Sequence, residues 1–259
     1  TEIPEVKLDI ETHDLPLESV PYACRFARGN VNLDLAGEHI FADDPTVEME
    51  IVTQGLSVGG SEPLRLHVQG DLDSDSAEAR IEMRASNRVA LLIEGTAAME
   101  WGGENLYPVV REDARWEVTA DFDRAPLQPV LAAVPMLADP KGTIDGRIQA
   151  RGVGRQVDAS GRLQMNEAGF TLRQPYMRVE DLNGALELQD EVLLVRDIRF
   201  QDRDGEARID GRVTLEGWMP GQATIEIRTD DFPLRVEGVI YSYLDTHTEF
   251  SADFNETQN

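Results

Sequence analysis

Cysteine, lysine and long apolar runs are all scarce in this sequence, and each scarcity excludes something. Cys24 is the single cysteine, so an internal disulfide and a cysteine-based zinc cluster are both ruled out. Lysine occurs only at Lys7 and Lys141, which leaves arginine to carry nearly all the positive charge. Even so, 24 basic residues stand against 49 acidic ones, for a formal net charge of -25. A surface this anionic repels phosphate backbones and acidic headgroups, which argues against nucleic-acid binding and against a polybasic membrane contact. No apolar run approaches the roughly 18–20 residues that span a bilayer. The longest apolar-rich stretch, residues 127–138, is interrupted by Pro129 and Pro135. The first residues, Thr1-Glu2-Ile3-Pro4, show neither the basic nor the apolar region of a secretory signal. The expectation is a segment cut from a longer chain, without a transmembrane helix of its own.

What the sequence does have is alternation. Ala207, Ile209, Gly211, Val213 and Leu215 alternate with Glu206, Arg208, Asp210, Arg212, Thr214 and Glu216. The same period of two runs through Leu64-Leu66-Val68, Ala79-Ile81-Met83-Ala85, Val89-Leu91-Ile93-Gly95 and Trp116-Val118-Ala120-Phe122. It continues through Leu163-Met165, Leu186-Leu188 and Ala223-Ile225-Ile227. Such runs build half-buried strands, dry on one face and wet on the other. Turn chemistry separates them at Gly59-Gly60, Gln189-Asp190-Glu191, Asp204-Gly205 and Pro220-Gly221. The reading is an all-β chain of roughly 16 to 20 strands. Helical pattern is confined to residues 127–137, where one or two short turns end at Pro135.

A longer period lies over the short one. Ile10-Glu-Thr-His-Asp-Leu-Pro-Leu17, Ala120-Asp-Phe-Asp-Arg-Ala-Pro-Leu127 and Ile227-Arg-Thr-Asp-Asp-Phe-Pro-Leu234 each end a strand with an acidic turn and a Pro-Leu pair. These copies recur about every 110 residues, with glycine-punctuated strands such as residues 29–37 and 142–152 between them. The predicted organisation is one continuous sheet of stacked units, not separate globular domains. A first unit occupies 1–111, a second 112–226, and the start of a third 227–259.

Short motifs that suggest chemistry give way to simpler readings. Gly55-Leu-Ser57-Val-Gly59 matches a hydrolase nucleophile elbow, but an alternating strand follows where a helix is required. Asp71, Asp73, Asp75 and Glu82 fall at ligand positions of a calcium loop, yet Ser76 replaces the required glycine and strands flank the stretch. A solvated hairpin is expected there, and a turn around Asp202, Asp204 and Glu206. Gly152-Val-Gly154 lacks the rest of a dinucleotide fingerprint. His13, His39, His67 and His247 have no metal-ligand spacing and are expected singly on surfaces, while Trp101, Trp116 and Trp218 are expected to pack in or beside strands. No catalytic group, metal site or cofactor site stands out, so an enzyme is not expected.

The repeat carries a resemblance. Its series runs through Gly161-Arg-Leu-Gln-Met-Asn, Val179-Glu-Asp-Leu-Asn-Gly-Ala-Leu-Glu-Leu, Val192-Leu-Leu-Val and Gly205-Glu-Ala-Arg-Ile-Asp-Gly-Arg-Val-Thr-Leu. It resembles the periplasmic repeats of the TamB family, within the broader AsmA-like group of bacterial envelope proteins, best over 112–254 and less closely over 1–111. The resemblance implies an elongated, twisted sheet folded lengthwise into a U-shaped trough, a β-taco, with an apolar interior. It also implies a periplasmic location, in a protein anchored in the inner membrane of a Gram-negative bacterium and reaching towards the outer membrane. The implied cargo is phospholipid acyl chains, and the implied partner is an outer-membrane Omp85-type β-barrel of the TamA kind.

On that basis the residues expected to line a lipid trough are Leu163, Met165, Leu186, Leu188, Ile209, Val213, Leu215, Ile225 and Ile227. Two other readings stay open: a scaffold that assembles outer-membrane β-barrels by strand pairing, and an extracellular adhesin of stacked β-sandwiches.

Overall fold

A computed structural model describes residues 6–19, 27–40, 44–58, 61–102, 105–110, 113–131, 134, 136–154, 156–173, 176–202, 205–216, 219–236 and 239–254. Cys24, Gly59-Gly60, Pro135, Asp204 and Trp218 lie outside the described residues. The described chain is all-β. Its first strands are β1 (Leu8–Pro16), β2 (Ala27–Glu38), β3 (Thr46–Val58), β4 (Leu64–Leu72), β5 (Ser76–Ala85), β6 (Arg88–Gly102), β7 (Asn105–Val110) and β8 (Arg115–Pro126). A four-residue helix, Gln128–Leu131, separates these from β9 (Leu137–Val153), β10 (Gln156–Arg173), β11 (Tyr176–Gln189) and β12 (Val192–Asp202). Next come β13 (Gly205–Glu216), β14 (Met219–Val236) and β15 (Val239–Asp253). Hydrogen-bonded order follows sequence order from β1 to β15, apart from β7, which pairs with β6 beside this path. Among the described residues the sheet is open, with β1 and β15 at the two ends of this order.

Two compact units divide the chain, one of residues 1–121 with 149–157, the other of 122–148 with 158–259. Within the first, alternation and register combine to lay apolar residues in rows across the strands. Leu33 pairs with Ile51, Ile51 with Val68, Val68 with Ile81 and Ile81 with Ile93. Directly paired residues of an antiparallel ladder point to the same face, so this row forms one continuous apolar line. The second unit closes a core on Ala168, Val179, Leu182, Phe200, Ala207 and Phe232. There the rings of Phe200 and Phe232 meet edge to face, with centroids 5.7 Å apart.

The segments expected as acidic turns are bulges. Asp14, Arg124 and Asp231 adopt φ values of 50°, 46° and 45°, inside β1, β8 and β14. In each case the backbone N–H donates to a side-chain oxygen on the next strand: Asn32 Oδ1 at 2.8 Å, Asp145 Oδ1 at 2.7 Å and Asp245 Oδ1 at 2.7 Å. A left-handed residue inserts one extra position and bends the strand without ending it, and the clasp satisfies the N–H that the bulge removes from the ladder. The strand stops at the following proline in β1 and β8 but continues to Val236 in β14. A 3-10 turn at Leu17–Ser19 and the helix Gln128–Leu131 follow the first two prolines. Glu167 and Asp197 repeat the same device, clasped by Asn183 and Asp210 at 3.1 and 2.9 Å.

Pro220-Gly221 is likewise not a turn. Pro220 pairs with Leu215 inside the β13–β14 ladder, just beyond a register shift. Proline is tolerated there because the shift lies beside it, near the start of the strand. Asp190, with φ 50°, does turn the chain between Gln189 and Val192.

Candidate functional site

The nine expected lining residues all lie on strands of the sheet, in β10, β11, β13 and β14, and all nine are half-buried. Register brings most of them together. Leu163 pairs with Leu186, Leu186 with Val195, Val195 with Gly211, Gly211 with Ile225, and Ile225 with Phe250. Beside this row runs a second, in which Leu188, Leu193, Val213, Ala223 and Ala252 pair in turn. A third joins Ile198, Ile209 and Ile227. Residues two apart on one strand share a face, so the three rows form one apolar surface across β10–β15.

The rows differ in what they touch. Met165 and Ile209 pack against the closed core and belong to it as much as to any open surface. Leu215 sits at the other extreme, paired with Pro220 near the end of its ladder. The central residues, Leu163, Leu186, Leu188, Val213, Ile225 and Ile227, keep part of each side chain exposed without reaching the exposure of a surface position.

Sequence reading omitted Leu193 and Val195 of β12, which complete the first two rows. Their run, Val192-Leu193-Leu194-Val195, is apolar at every position, so alternation could not assign a face; only the register does. Phe250 was omitted too, because Tyr241, Tyr243 and His247 blur the period of β15. The row of Leu33, Ile51, Val68, Ile81 and Ile93 in the first unit is equally half-buried, and its alternation was visible.

The opposite face is a ladder of ion pairs. Glu187 lies 2.9 Å from Arg162 and 3.4 Å from Arg196, and Asp197 lies 2.8 Å from Arg199 and 2.9 Å from Arg208. The Asp197 carboxylate raises the Arg199 guanidinium above its ordinary value. A shallow depression over Gly184 is lined by Arg162, Arg196 and Arg199, each of which already faces a carboxylate.

The motif readings fall into place. Gly55, Leu56, Ser57 and Val58 lie inside β3, and Ser57 Oγ donates to the Ser61 carbonyl at 2.9 Å. Asp73 caps its own hairpin: Oδ1 accepts the N–H groups of Asp75 and Ser76, and Oδ2 accepts the Ser76 hydroxyl. Those backbone donors hold its carboxyl below the usual range. Among the described residues no three His, Cys, Asp or Glu side chains cluster as a metal site. His13, His67 and His247 each pair with one glutamate, Glu11, Glu50 and Glu226 respectively. Trp101 is buried, and its Nε1 has no hydrogen-bond partner among the described residues, while Trp116 Nε1 donates to the Gly154 carbonyl at 3.2 Å. No described helix is long and apolar enough to cross a membrane. Comparison with protein-family models, with curated proteins and with solved structures gives no match.

Proposed function

We propose that this chain is a periplasmic segment of an intermembrane bridge in a Gram-negative envelope, and that its apolar sheet face conducts phospholipid between the inner and outer membranes. The observation that carries this reading is the set of half-buried rows through Leu163, Leu186, Val195 and Ile225 and through Leu188, Leu193 and Val213. An acyl chain laid along such a row gains roughly 0.8 kcal/mol for each methylene it buries. Successive strands offer nearly equal contacts, so a chain can advance without a catalytic group. The resemblance to TamB-like repeats supplies the envelope location and an Omp85-type partner to the same proposal.

The test is native mass spectrometry, with lipid extraction, on the protein purified from a bacterial periplasm. Bound phospholipid is expected, and it should be lost when Val213→Asp is combined with Ile225→Asp, in a variant whose circular dichroism stays all-β. A lipid-free wild type, or lipid retained by the charged variant, overturns the reading.

A further inference from the structure

The polar face of β10–β12 holds a hollow whose floor is set by the register. Ala185 of β11 pairs with Gln164 of β10 on one side and with Arg196 of β12 on the other. Two residues back on the same face Asn183 pairs with Arg199, and two residues on Glu187 pairs with Arg162. Ala185 brings only a methyl group to this face, so the longer side chains of Arg162, Gln164, Arg196 and Arg199 stand around a space of about 330 Å³. Ala185 is 4% exposed although it lies on the wet face, so the floor is sheltered from bulk water. The arginines stay open to solvent, with the side chains of Arg162, Arg196 and Arg199 64%, 56% and 52% exposed.

Its cations outnumber the carboxylates that serve them. Glu187 is shared: Oε1 lies 2.9 Å from Arg162 Nη1 and Oε2 lies 3.4 Å from Arg196 Nε. Asp197 is shared as well, its Oδ1 lying 2.8 Å from Arg199 Nε and 2.9 Å from Arg208 Nε. Arg208 also reaches Asp210 at 2.9 Å. In these ion pairs four guanidiniums divide three carboxylates among them, and Arg162, Arg196 and Arg199 each use one nitrogen. A guanidinium carries five N–H donors in a planar fork, so most of them remain for an incoming acceptor. Glu187 also shows the reach of the site. An oxyanion held over β11 is met from β10 by Arg162 and from β12 by Arg196.

We infer that this hollow binds a small phosphate-type oxyanion, inorganic phosphate or the end of a phosphomonoester, between Arg162, Arg196 and Arg199. A tetrahedral oxyanion offers acceptors in several directions and takes guanidinium forks two bonds at a time. Charge decides its size. A net charge of -25 repels polyanions and anionic membranes, which would have to meet the acidic surface around the hollow. A single small anion responds mainly to the charges nearest it, since physiological salt screens the rest over about 8 Å. The hollow lies on the opposite face from Leu163, Leu186 and Val195, so this inference stands apart from the lipid reading.

The test is isothermal titration of the full chain with inorganic phosphate, in a chloride buffer of low ionic strength. Saturable binding at millimolar phosphate is expected, and Arg196→Gln combined with Arg199→Gln should weaken it by about tenfold or more. Glu187→Gln should strengthen it several-fold, since the amide no longer competes for Arg162 and Arg196. Arg80→Gln, in the first unit, should leave it unchanged. The gain in Glu187→Gln keeps the test decisive if the double variant does not fold. Absence of saturable binding, binding that a folded double variant keeps, no gain in Glu187→Gln, or an equal loss in Arg80→Gln overturns the inference. Vesicles of phosphatidylcholine with phosphatidic acid separate the two sources of a phosphate group, and no binding to them is expected. Vesicle binding without binding of inorganic phosphate overturns the inference and assigns the arginines to a lipid headgroup.

Discussion

The backbone N–H of Asp231 donates to Oδ1 of Asp245 at 2.7 Å, across the β14–β15 pair, and Asp14 and Asn32 form the same clasp at 2.8 Å across β1–β2. Asn and Asp serve equally because only one side-chain oxygen is used. Asp245→Ala should therefore lower stability by about 0.5–1.5 kcal/mol, the net contribution of one hydrogen bond. Asp245→Asn should be close to neutral. Urea unfolding of the two variants separates them, and equal losses in both would show that the clasp is not what the bulge depends on.

Glycines at the strand crossings give a sharper contrast. At Gly146, with φ +135°, an added Cβ would sit 2.0 Å from the Arg162 carbonyl oxygen. At Gly55, with φ +63°, a Cβ would meet nothing within 4 Å. Gly55→Ala should cost about 1–2 kcal/mol, the penalty of a left-handed residue with a side chain. Gly146→Ala must also push two strands apart, so the expected loss is about 3 kcal/mol or more. Thermal unfolding of both variants tests the order of the two losses.

Much of this fold could be read from residue order, and the remainder has identifiable causes. Strict alternation, as in Ala207-Ile209-Gly211-Val213-Leu215, marks both the strand and its dry face, because period two is the geometry of the strand itself. The acidic Pro-Leu repeat was legible as a repeat but not as a bulge: the left-handed residue is an aspartate in two copies, Asp14 and Asp231, and aspartate serves turns and bulges alike, while in the third it is Arg124, which gives no turn signal. Pro220-Gly221 misleads for a related reason: the pair signals a turn, and only the ladder partner Leu215 reveals a strand. At the candidate site, alternation placed Leu163, Leu186, Val213 and Ile225 on the dry face. Which of them lie side by side depends on bulges between Met165 and Ala168 and between Val195 and Ile198, each of which shifts the register. An apolar run such as Val192–Val195 carries no face information until that register is known.

The closed core and the open rows should respond differently to truncation. Phe232 is 8% exposed and packs edge to face on Phe200. Phe232→Ala should cost about 3 kcal/mol, through lost contacts and the cavity left behind. Ile225→Ala, at a half-buried position, should cost less than half as much, because less of that side chain leaves water on folding. Denaturant midpoints of the pair decide this, and equal losses would mean that the rows are as tightly packed as the core.

Acid should act on this chain in two opposed ways. With a net charge of -25, protonation first relieves repulsion, and stability should rise as pH falls from neutrality towards about 5. Further down, carboxylates whose charged form is favoured by the fold oppose that gain. Asp73 is held below its ordinary value of 3.8 by the N–H groups of Asp75 and Ser76. At Asp210 burial pushes upward, but the Asp197 N–H and the Arg208 guanidinium outweigh it. Hydrogen bonds from Arg84 and Arg228 lower Glu82 and Glu226 below 4.5. A depressed folded-state value means that the unfolded chain takes up protons first as pH falls. The stabilisation these groups give is complete above their unfolded values and disappears as pH drops through the lower folded ones. Stability should therefore pass through a maximum and fall below about pH 4. In Asp73→Asn the amide oxygen still accepts the hairpin N–H groups but no longer titrates, so this variant should lose less than the wild type over the same acid range. Urea midpoints for both proteins from neutral to acid pH provide the check, and parallel curves would remove Asp73 from the acid response.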